Sequence, residues 1–352
     1  MSKSAPISDD DALLRPTTKD LARVAGVSRA TVDRVLNGRE GVKKKTVDKV
    51  NAAIEEIGFV RNIAAANLAK SRTYRFLFVL PESGDQFHGE ILRRINEAQT
   101  AFTADMVKAA VRLVDQNDPF KIAALLASLS PDVVDGVAIM APETPQVRDA
   151  ILRLQERGVH ALPFISNQTL NGDQWVGMDN HAAGVTAGTL MGRFLPIKAG
   201  KLAVIADSIL SRDSLERRSG FDQVINSEFP HLAALPSLET YGSQDRAKRI
   251  VSEIFRHQGD IAGVYILSSE ARAPLSAIWK VQLPHNIVII AHERTPCTEN
   301  ALVDGTLDAV ITQDPGHLVR SAVRKLRALT DGRSTLQSQE KIRVEIILKT
   351  NL

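Results

Sequence analysis

TTKDLARVAGVSRATVDRVLN, residues 17–37, has the pattern of two short helices broken at Ala25-Gly26-Val27-Ser28. Thr17 and Thr18 are candidate caps of the first helix, whose apolar face reads as Leu21, Val24 and Ala25. Gly26 permits the left-handed backbone of a sharp turn, and Ser28 is placed to cap the second helix. In that second helix Val32, Val35 and Leu36 face inward. Arg29, Ala30, Asp33 and Arg34 are left on the outer face. An outward helix held this way fits a DNA major groove. A generic αα-hairpin has the same pattern, so the flanking sequence has to decide.

Immediately downstream, KKKTVDKVNAAIEEI (43–57) predicts a third helix with Val47, Val50, Ala53, Ile54 and Ile57 on one face, ending at Gly58. Lys43, Lys44 and Lys45 open it, the unfavourable end of the helix dipole for positive charge. A bound anion such as a phosphate would offset this; a solvated basic face is the alternative. Residues 1–75 hold 15 Lys and Arg against 9 Asp and Glu, a balance of +6, whereas the rest of the chain carries −3. The basic excess therefore coincides with the helical pair, where a phosphate backbone would lie. FVRNIAAANLAKSRT (59–73) then predicts a short Ala-rich helix and a polar break.

From Tyr74 the pattern changes to short apolar runs alternating with amphipathic stretches. Strands are expected at 74–81, 107–115, 136–141, 161–166, 202–207, 262–267, 287–292 and 309–312, with a last one at 341–349. Helices are expected between most of them, among them Phe87–Phe102, Pro119–Leu129, Gln146–Arg157 and Ser214–Glu228. Continuous apolar strands imply parallel sheets covered on both faces, a doubly wound α/β architecture. The length of 352 residues and the strand count suggest two such lobes with a cleft between them. Ligands in such folds bind beyond the strand C-termini.

Other classes fare worse. No apolar run is long enough to span a bilayer. Met1–Leu14 is polar, with Asp9, Asp10 and Asp11 in its middle, and lacks a signal peptide's apolar core, so a cytoplasmic protein is expected. A single cysteine, Cys297, excludes an intramolecular disulfide and a cysteine-based zinc site; it reads as filler sooner than as a nucleophile. No phosphate-cradling glycine loop, nucleophile-elbow serine or paired-histidine metal motif is present. No enzyme activity, metal or cofactor is expected.

The succession of helical pair, short helix and long α/β region resembles the lactose-repressor (LacI/GalR) family of sugar-responsive transcription factors. The matching residues are Asp20-Leu21-Ala22, Ala25-Gly26-Val27-Ser28, Thr31-Val32, Arg34-Val35-Leu36-Asn37, Lys45-Thr46, Val50, Ala53, Gly58-Phe59, Asn62 and Leu68-Ala69. The α/β region resembles the family's periplasmic sugar-binding fold through VGMDNHAAGVTAGTLMGRF (176–194), LERRSGF (215–221), AHERT (291–295) and ITQDP (311–315). The resemblance implies a disordered tail at 1–14, a helix-turn-helix domain at 15–61, a hinge helix and linker at 62–73, and an effector domain at 74–352. Its first lobe would comprise about 74–175 and 314–336, its second about 176–313 and 337–352.

By the same resemblance, Arg29, Ala30 and Arg34 meet base edges. Thr17, Thr18, Ser28, Thr31, Asn37 and Lys43 contact phosphates, and Leu68 is a minor-groove wedge. Asp33 departs from the family's usual small hydroxyl residue; it could orient Arg29 or Arg34, or accept from cytosine. In the cleft, Asp85, Phe87 and His88 would form one wall, with Ser166 and Asn167 at a later strand end. Arg217 would hold ring or hydroxyl oxygens, Glu293 would accept from paired hydroxyls, and Gln313 would supply an amide at the lobe crossover. LSSEARAP (267–274) departs from the family pattern, with Glu270 or Ser268 as the replacement contact. Asp179-Asn180 reads as structural, Asn180 capping a helix that begins near Ala182.

The implied function is a homodimeric regulator of carbohydrate uptake or catabolism genes, most often a repressor, on palindromic double-stranded operator DNA, controlled by a small carbohydrate-like effector. A sugar-binding transport-type protein without DNA regulation and a carbohydrate-acting enzyme are the alternatives. No C-terminal heptad segment follows Lys349, so a tetramer built that way is not expected.

Overall fold

The computed structural model describes residues 16–36, 41–59, 73–168, 174–209, 211–257, 260–281 and 287–352. The expected tail at 1–14, Asn37 and the hinge helix with Leu68 lie outside the described residues. The chain divides into two units, 1–72 and 73–352.

The first unit contains α1 (Thr18–Ala25), α2 (Arg29–Leu36) and α3 (Lys44–Ile57). Thr17 caps α1 in a reciprocal box: the Asp20 amide donates to Thr17 Oγ1 at 3.3 Å and the Thr17 amide to Asp20 Oδ2 at 3.0 Å. Thr18 is thus the first helical residue and Thr17 alone is the cap. Gly26 ends α1 with φ +62°, a conformation that a side chain would strain. At the start of α2 the Thr31 amide donates to Ser28 Oγ at 3.1 Å. Leu21, Ala25, Val32, Val50, Ala53 and Phe59 form the core. Val24, expected on the buried face, is exposed, and Ala22 packs inward instead. Two alanines and one leucine suffice on α1 because α3 lies close against it.

In the second unit the order is β1 (Tyr74–Pro81), α4 (Gln86–Glu97), α5 (Gln99–Ala104), β2 (Val107–Val114), α6 (Pro119–Ser128), β3 (Gly136–Ile139), α7 (Pro145–Glu156) and β4 (His160–Pro163). There follow α8 (Asn180–Phe194), β5 (Gly200–Ala206), α9 (Arg212–Glu228), β6 (Leu232–Ala234), β7 (Leu238–Glu239), α10 (Gln244–His257), β8 (Ile261–Ile266) and α11 (Arg272–Ile278). Last come β9 (Val288–His292), α12 (Pro296–Val303), β10 (Ala309–Thr312), α13 (Pro315–Thr330), α14 (Gln337–Glu340) and β11 (Glu345–Ile347). The expected helix at 87–102 is two helices meeting at Ala98, and the last strand narrows to three residues.

Two sheets result. The first, in order β2-β1-β3-β4, is parallel throughout. The second runs β11-β10-β9-β8-β5-β6 with β7 also on β5; it is parallel except for the β10–β11 pair. The chain crosses between them after β4, after β10 and again after α13. Although α13 follows a strand of the second sheet, it packs on β1, β3 and β4 of the first.

One close approach fixes the second lobe's architecture. Helices α8 and α9 meet backbone to backbone: a Cβ on Gly184 would lie 2.0 Å from the Arg217 carbonyl oxygen, and one on Gly220 would lie 2.1 Å from that of His181. Only glycine fits at either point. The contact brings Asn180 of α8 within 2.8 Å of the Arg217 guanidinium on α9.

Gly184→Ala therefore forces the two helices apart and should cost about 3 kcal/mol, the upper end for overpacking because backbone cannot yield. Gly89→Ala, on α4 with nothing within 4 Å of the added methyl, should instead stabilise by about 0.5–1 kcal/mol. Urea unfolding of both variants checks the contrast; equal effects would mean that the α8–α9 contact is not tight.

Candidate functional site

The C-terminal ends of β1, β3 and β4 on one side, and of β5, β8 and β9 on the other, open onto a cavity of about 840 Å³. This is the position at which open α/β sheets hold ligands. Two of its lining residues have left-handed backbones without being glycine: Ile165 (φ +65°), just after β4, and Glu293 (φ +62°), just after β9. A β-branched residue in that region is strained, and strain of this kind concentrates at functional sites.

At the centre lies a buried polar network. Arg217, 4% exposed, donates through Nε to Asn180 Oδ1 (2.8 Å), through Nη1 to the Leu267 carbonyl (2.9 Å) and through Nη2 to Glu293 Oε1 (3.1 Å). Glu293, with no exposed surface, also accepts from Thr312 Oγ1 and Gln313 Nε2, each at 3.2 Å. Burial pushes its carboxyl up to about 7, against the opposing pull of Arg217 and the two hydrogen-bond donors. Gln313 accepts from the Met178 amide at 3.1 Å, so its amide clamps the crossover between lobes. It is not among the residues that line the cavity.

The first-lobe wall is built by caps. Asp85 caps α4, accepting from the amides of Phe87 (2.7 Å) and His88 (3.3 Å). His88 Nδ1 lies 2.6 Å from Ser83 Oγ, and burial holds the imidazole below its usual pKa. Phe87 touches the cavity but is 1% exposed and belongs to the core, so it offers little face for stacking. Ser166 donates to Asp213 Oδ2 at 3.0 Å, while Asn167 Oδ1 accepts from the Gln168 amide at 2.7 Å. Glu270 lines the cavity and is ion-paired with Arg272 at 2.6 Å.

Asp179, and not Asn180, caps α8, accepting from the Ala182 amide at 2.9 Å. Asn180 is 3% exposed and joins Arg217 to Asp213, its Nδ2 donating to Asp213 Oδ1 at 3.3 Å. The sequence reading missed Asp213 altogether. Its signal is its place four residues before Arg217, which puts both on one face of α9. Cys297 is half-buried, and burial pushes its thiol up to about 11, so the nucleophilic thiolate is scarce at neutral pH.

On the helical unit, Arg29, Ala30, Asp33 and Arg34 are exposed together on α2, and Lys43 is exposed ahead of α3. Three of the expected phosphate contacts are engaged within the unit. Thr17 Oγ1 donates to Asp20 Oδ2 at 2.7 Å, and the hydroxyls of Ser28 and Thr31 lie 2.9 Å apart. Thr18 is half-buried.

Arg217→Met leaves the Glu293 carboxylate buried without its cation and should cost about 3–5 kcal/mol at pH 8. Because Glu293 titrates near 7 when folded and near 4.5 when exposed, the folded state holds its proton longer. Wild-type stability should therefore fall as pH rises through that interval, and Glu293→Gln should flatten the fall. Unfolding measured from pH 4.5 to 8 tests both; an unchanged slope in the glutamine variant would disprove the assignment.

Comparison with known proteins matches residues 76–334 to the periplasmic binding protein domain and residues 17–62 to the lacI family of bacterial regulatory proteins. A similar curated protein is the HTH-type transcriptional regulator RegA of Clostridium saccharobutylicum, 38% identical over 136 residues, 39% of each chain. Catabolite control protein A of Staphylococcus xylosus is 30% identical over 136 residues, 38% of this chain and 40% of that one. The chain thus matches about two-fifths of the length of these relatives. Among solved structures, a solute-binding protein from Burkholderia graminis in complex with D-arabinose is 20% identical with a TM-score of 0.69, covering 79% of this chain and 96% of that one. A LacI-type regulator structure from Bacteroides fragilis is 18% identical with a TM-score of 0.67, covering 80% and 98%. These likenesses show the fold. The chain belongs to the periplasmic binding protein domain family and carries, ahead of that domain, a helical segment that matches the lacI family of bacterial regulatory proteins.

Proposed function

We propose that the protein is a ligand-responsive transcriptional regulator. It binds a palindromic operator as a homodimer and represses carbohydrate uptake or catabolism genes under the control of a sugar-like effector in the interlobe cavity. The observation that carries this reading is the exposed Arg29–Ala30–Asp33–Arg34 face on a separately packed, basic three-helix unit, in one chain with a cavity at the strand ends of two lobes. The relatives named as transcriptional regulators support it. Guanidinium forks on a groove-sized helix suit bidentate contact with guanine, and the lysines that open α3 suit phosphate.

Control needs an element with two arrangements. Several hydrogen bonds cross the cleft: Ser269 Oγ to Asp85 Oδ2 (3.0 Å), Arg212 Nη1 to Glu143 Oε2 (3.1 Å) and the Cys297 amide to Gln86 Oε1 (3.2 Å). A ligand that pairs with these groups differently when the lobes rotate has a different affinity for the two states, and only that difference can shift DNA binding. A transport-type protein would need no basic helical unit.

Selection of duplexes from a random palindromic pool by the full-length chain is the deciding experiment. One preferred site should emerge, with affinity falling as salt rises. Arg29→Ala or Arg34→Ala should each cost about 1–3 kcal/mol of discrimination at the bases they read. Asp33→Ser should raise nonspecific affinity and blunt sequence choice. Failure to enrich any sequence would sink the regulator reading; unchanged salt slope and site preference in Asp33→Ser would remove only the role given to that aspartate.

A further inference from the structure

We infer that the effector is a positively charged polyol, an amine-bearing sugar or a compound of that class, held by Asp213. The inference deepens the reading of the interlobe cavity as the effector site and rests on it.

Charge is the first ground. Among the described residues lining the cavity, carboxylates outnumber guanidinium groups seven to two, and no lysine is present. Both guanidiniums are committed to acids of the same cavity. Arg217 spends its donors on Glu293, Asn180 and the Leu267 carbonyl. Arg212 lies between Glu143 (3.1 Å) and Glu216 (2.7 Å). Glu270 is held by Arg272. An acidic ligand such as a uronate or a sugar phosphate would have to displace one of these internal carboxylates to reach a cation.

Asp213 is the second ground. Its two direct partners are neutral, the Ser166 hydroxyl (3.0 Å) and the Asn180 amide (3.3 Å). It is placed on the first turn of α9, facing the cavity where strand ends of both lobes converge. Burial raises its pKa, against the pull of Arg217 and Arg212, whose guanidinium groups act on it from a distance while hydrogen-bonding to other acids. The field at this point is shared: Asp85, Glu270 and Asp213, from three separate segments, all act on His88. His88 does not neutralise them, because burial holds its imidazole below the usual pKa. An ammonium group on the ligand would meet the field of Asp85 and Asp213, to which Glu270, already paired with Arg272, adds less.

The remaining lining decides what surrounds the ammonium. Phe87 is the only Phe, Tyr or Trp among the described lining residues, and it is almost wholly buried, so stacking contributes little. Ser166, Asn167, Ser208, Ser268 and Ser269 supply hydroxyl and amide groups suited to a ligand rich in hydroxyls. The cavity, about 840 Å³, lies within the size range of small-molecule sites.

The test is calorimetry on the full-length chain at pH 7 with three matched sets: hexoses, the corresponding 2-amino-2-deoxyhexoses and the corresponding hexuronates. An aminohexose should bind about tenfold or more tightly than its parent hexose, as for a charge-assisted hydrogen bond, with the hexuronate weakest. Asp213→Asn should bring the amine-to-hexose ratio towards one, and Glu270→Gln should lower it by a smaller factor. Thermal melts establish that each variant is folded. A hexose or hexuronate that binds as tightly as its amine, a ratio unchanged in both variants, or no binding by any amine overturns the inference. Operator binding measured in parallel separates the two readings. If the chain still binds its selected duplex and responds to a neutral hexose, only the charge assignment falls. If it binds no duplex, the regulator reading falls with it.

Discussion

The buried Arg217–Glu293 pair is the constraint on which the rest of the α/β unit is arranged. An ion pair this deep requires every donor and acceptor around it to be supplied, and the fold supplies them from three elements. The β8 end contributes the Leu267 carbonyl, α8 contributes Asn180, and the β10 end contributes Thr312 and Gln313. The strained backbone of Glu293 is tolerated because its carboxylate is held by three groups at once. The glycines of α8 and α9 belong to the same arrangement. Without the near-contact at Gly184 and Gly220, Arg217 could not reach Asn180 while remaining packed.

The network also ties chemistry to lobe position. Gln313 touches Glu293 with one end of its amide and the Met178 backbone with the other, and Met178 lies on the segment joining the lobes. A charge that changes near Glu293 is therefore felt at a crossover. At the opposite edge of the cleft, Ser269 reaches the cap of α4 and Arg212 reaches Glu143. Any coupling between a ligand in the cavity and the helical unit needs a contiguous element with two arrangements, and these contacts form one candidate.

Much of the architecture was legible in the chain because its signals are local. The turn at Gly26, the C-cap at Gly58 and the continuous apolar strands from 74 to 312 each follow from a few adjacent residues. The errors came where tertiary packing overrode the local pattern. Val24 has the spacing of a buried residue, but close packing of α3 selects Ala22 instead. Asp179 and Asn180 are both good caps by type, and only the position of Arg217, far along the chain, draws Asn180 into the network. Gln313 was legible as a polar residue at a strand end, but its commitment to a backbone amide from another crossover was not. Asp213 matched no motif quoted for the resemblance, and its one local signal, the four-residue spacing to Arg217, does not show that Ser166 and Asn180, far along the chain, are its hydrogen-bond partners.

The placement of α13 bears on how the chain is made. The face of the first sheet that carries Phe76, Ala138 and Leu162 shares one core with Leu318, Ala322 and Leu326 of α13. On a ribosome, β1 to β4 are complete when Pro163 emerges, yet their covering helix is finished only at Thr330. At ordinary rates of synthesis that interval is roughly 10–30 s, during which this core has Phe87, Ile91, Ile95 and Phe102 of α4 and α5 but lacks the side chains of α13. The second lobe is in effect an insertion within the first. The nascent first lobe must wait for it, which makes this stretch of translation the period of greatest exposure to aggregation and to chaperones.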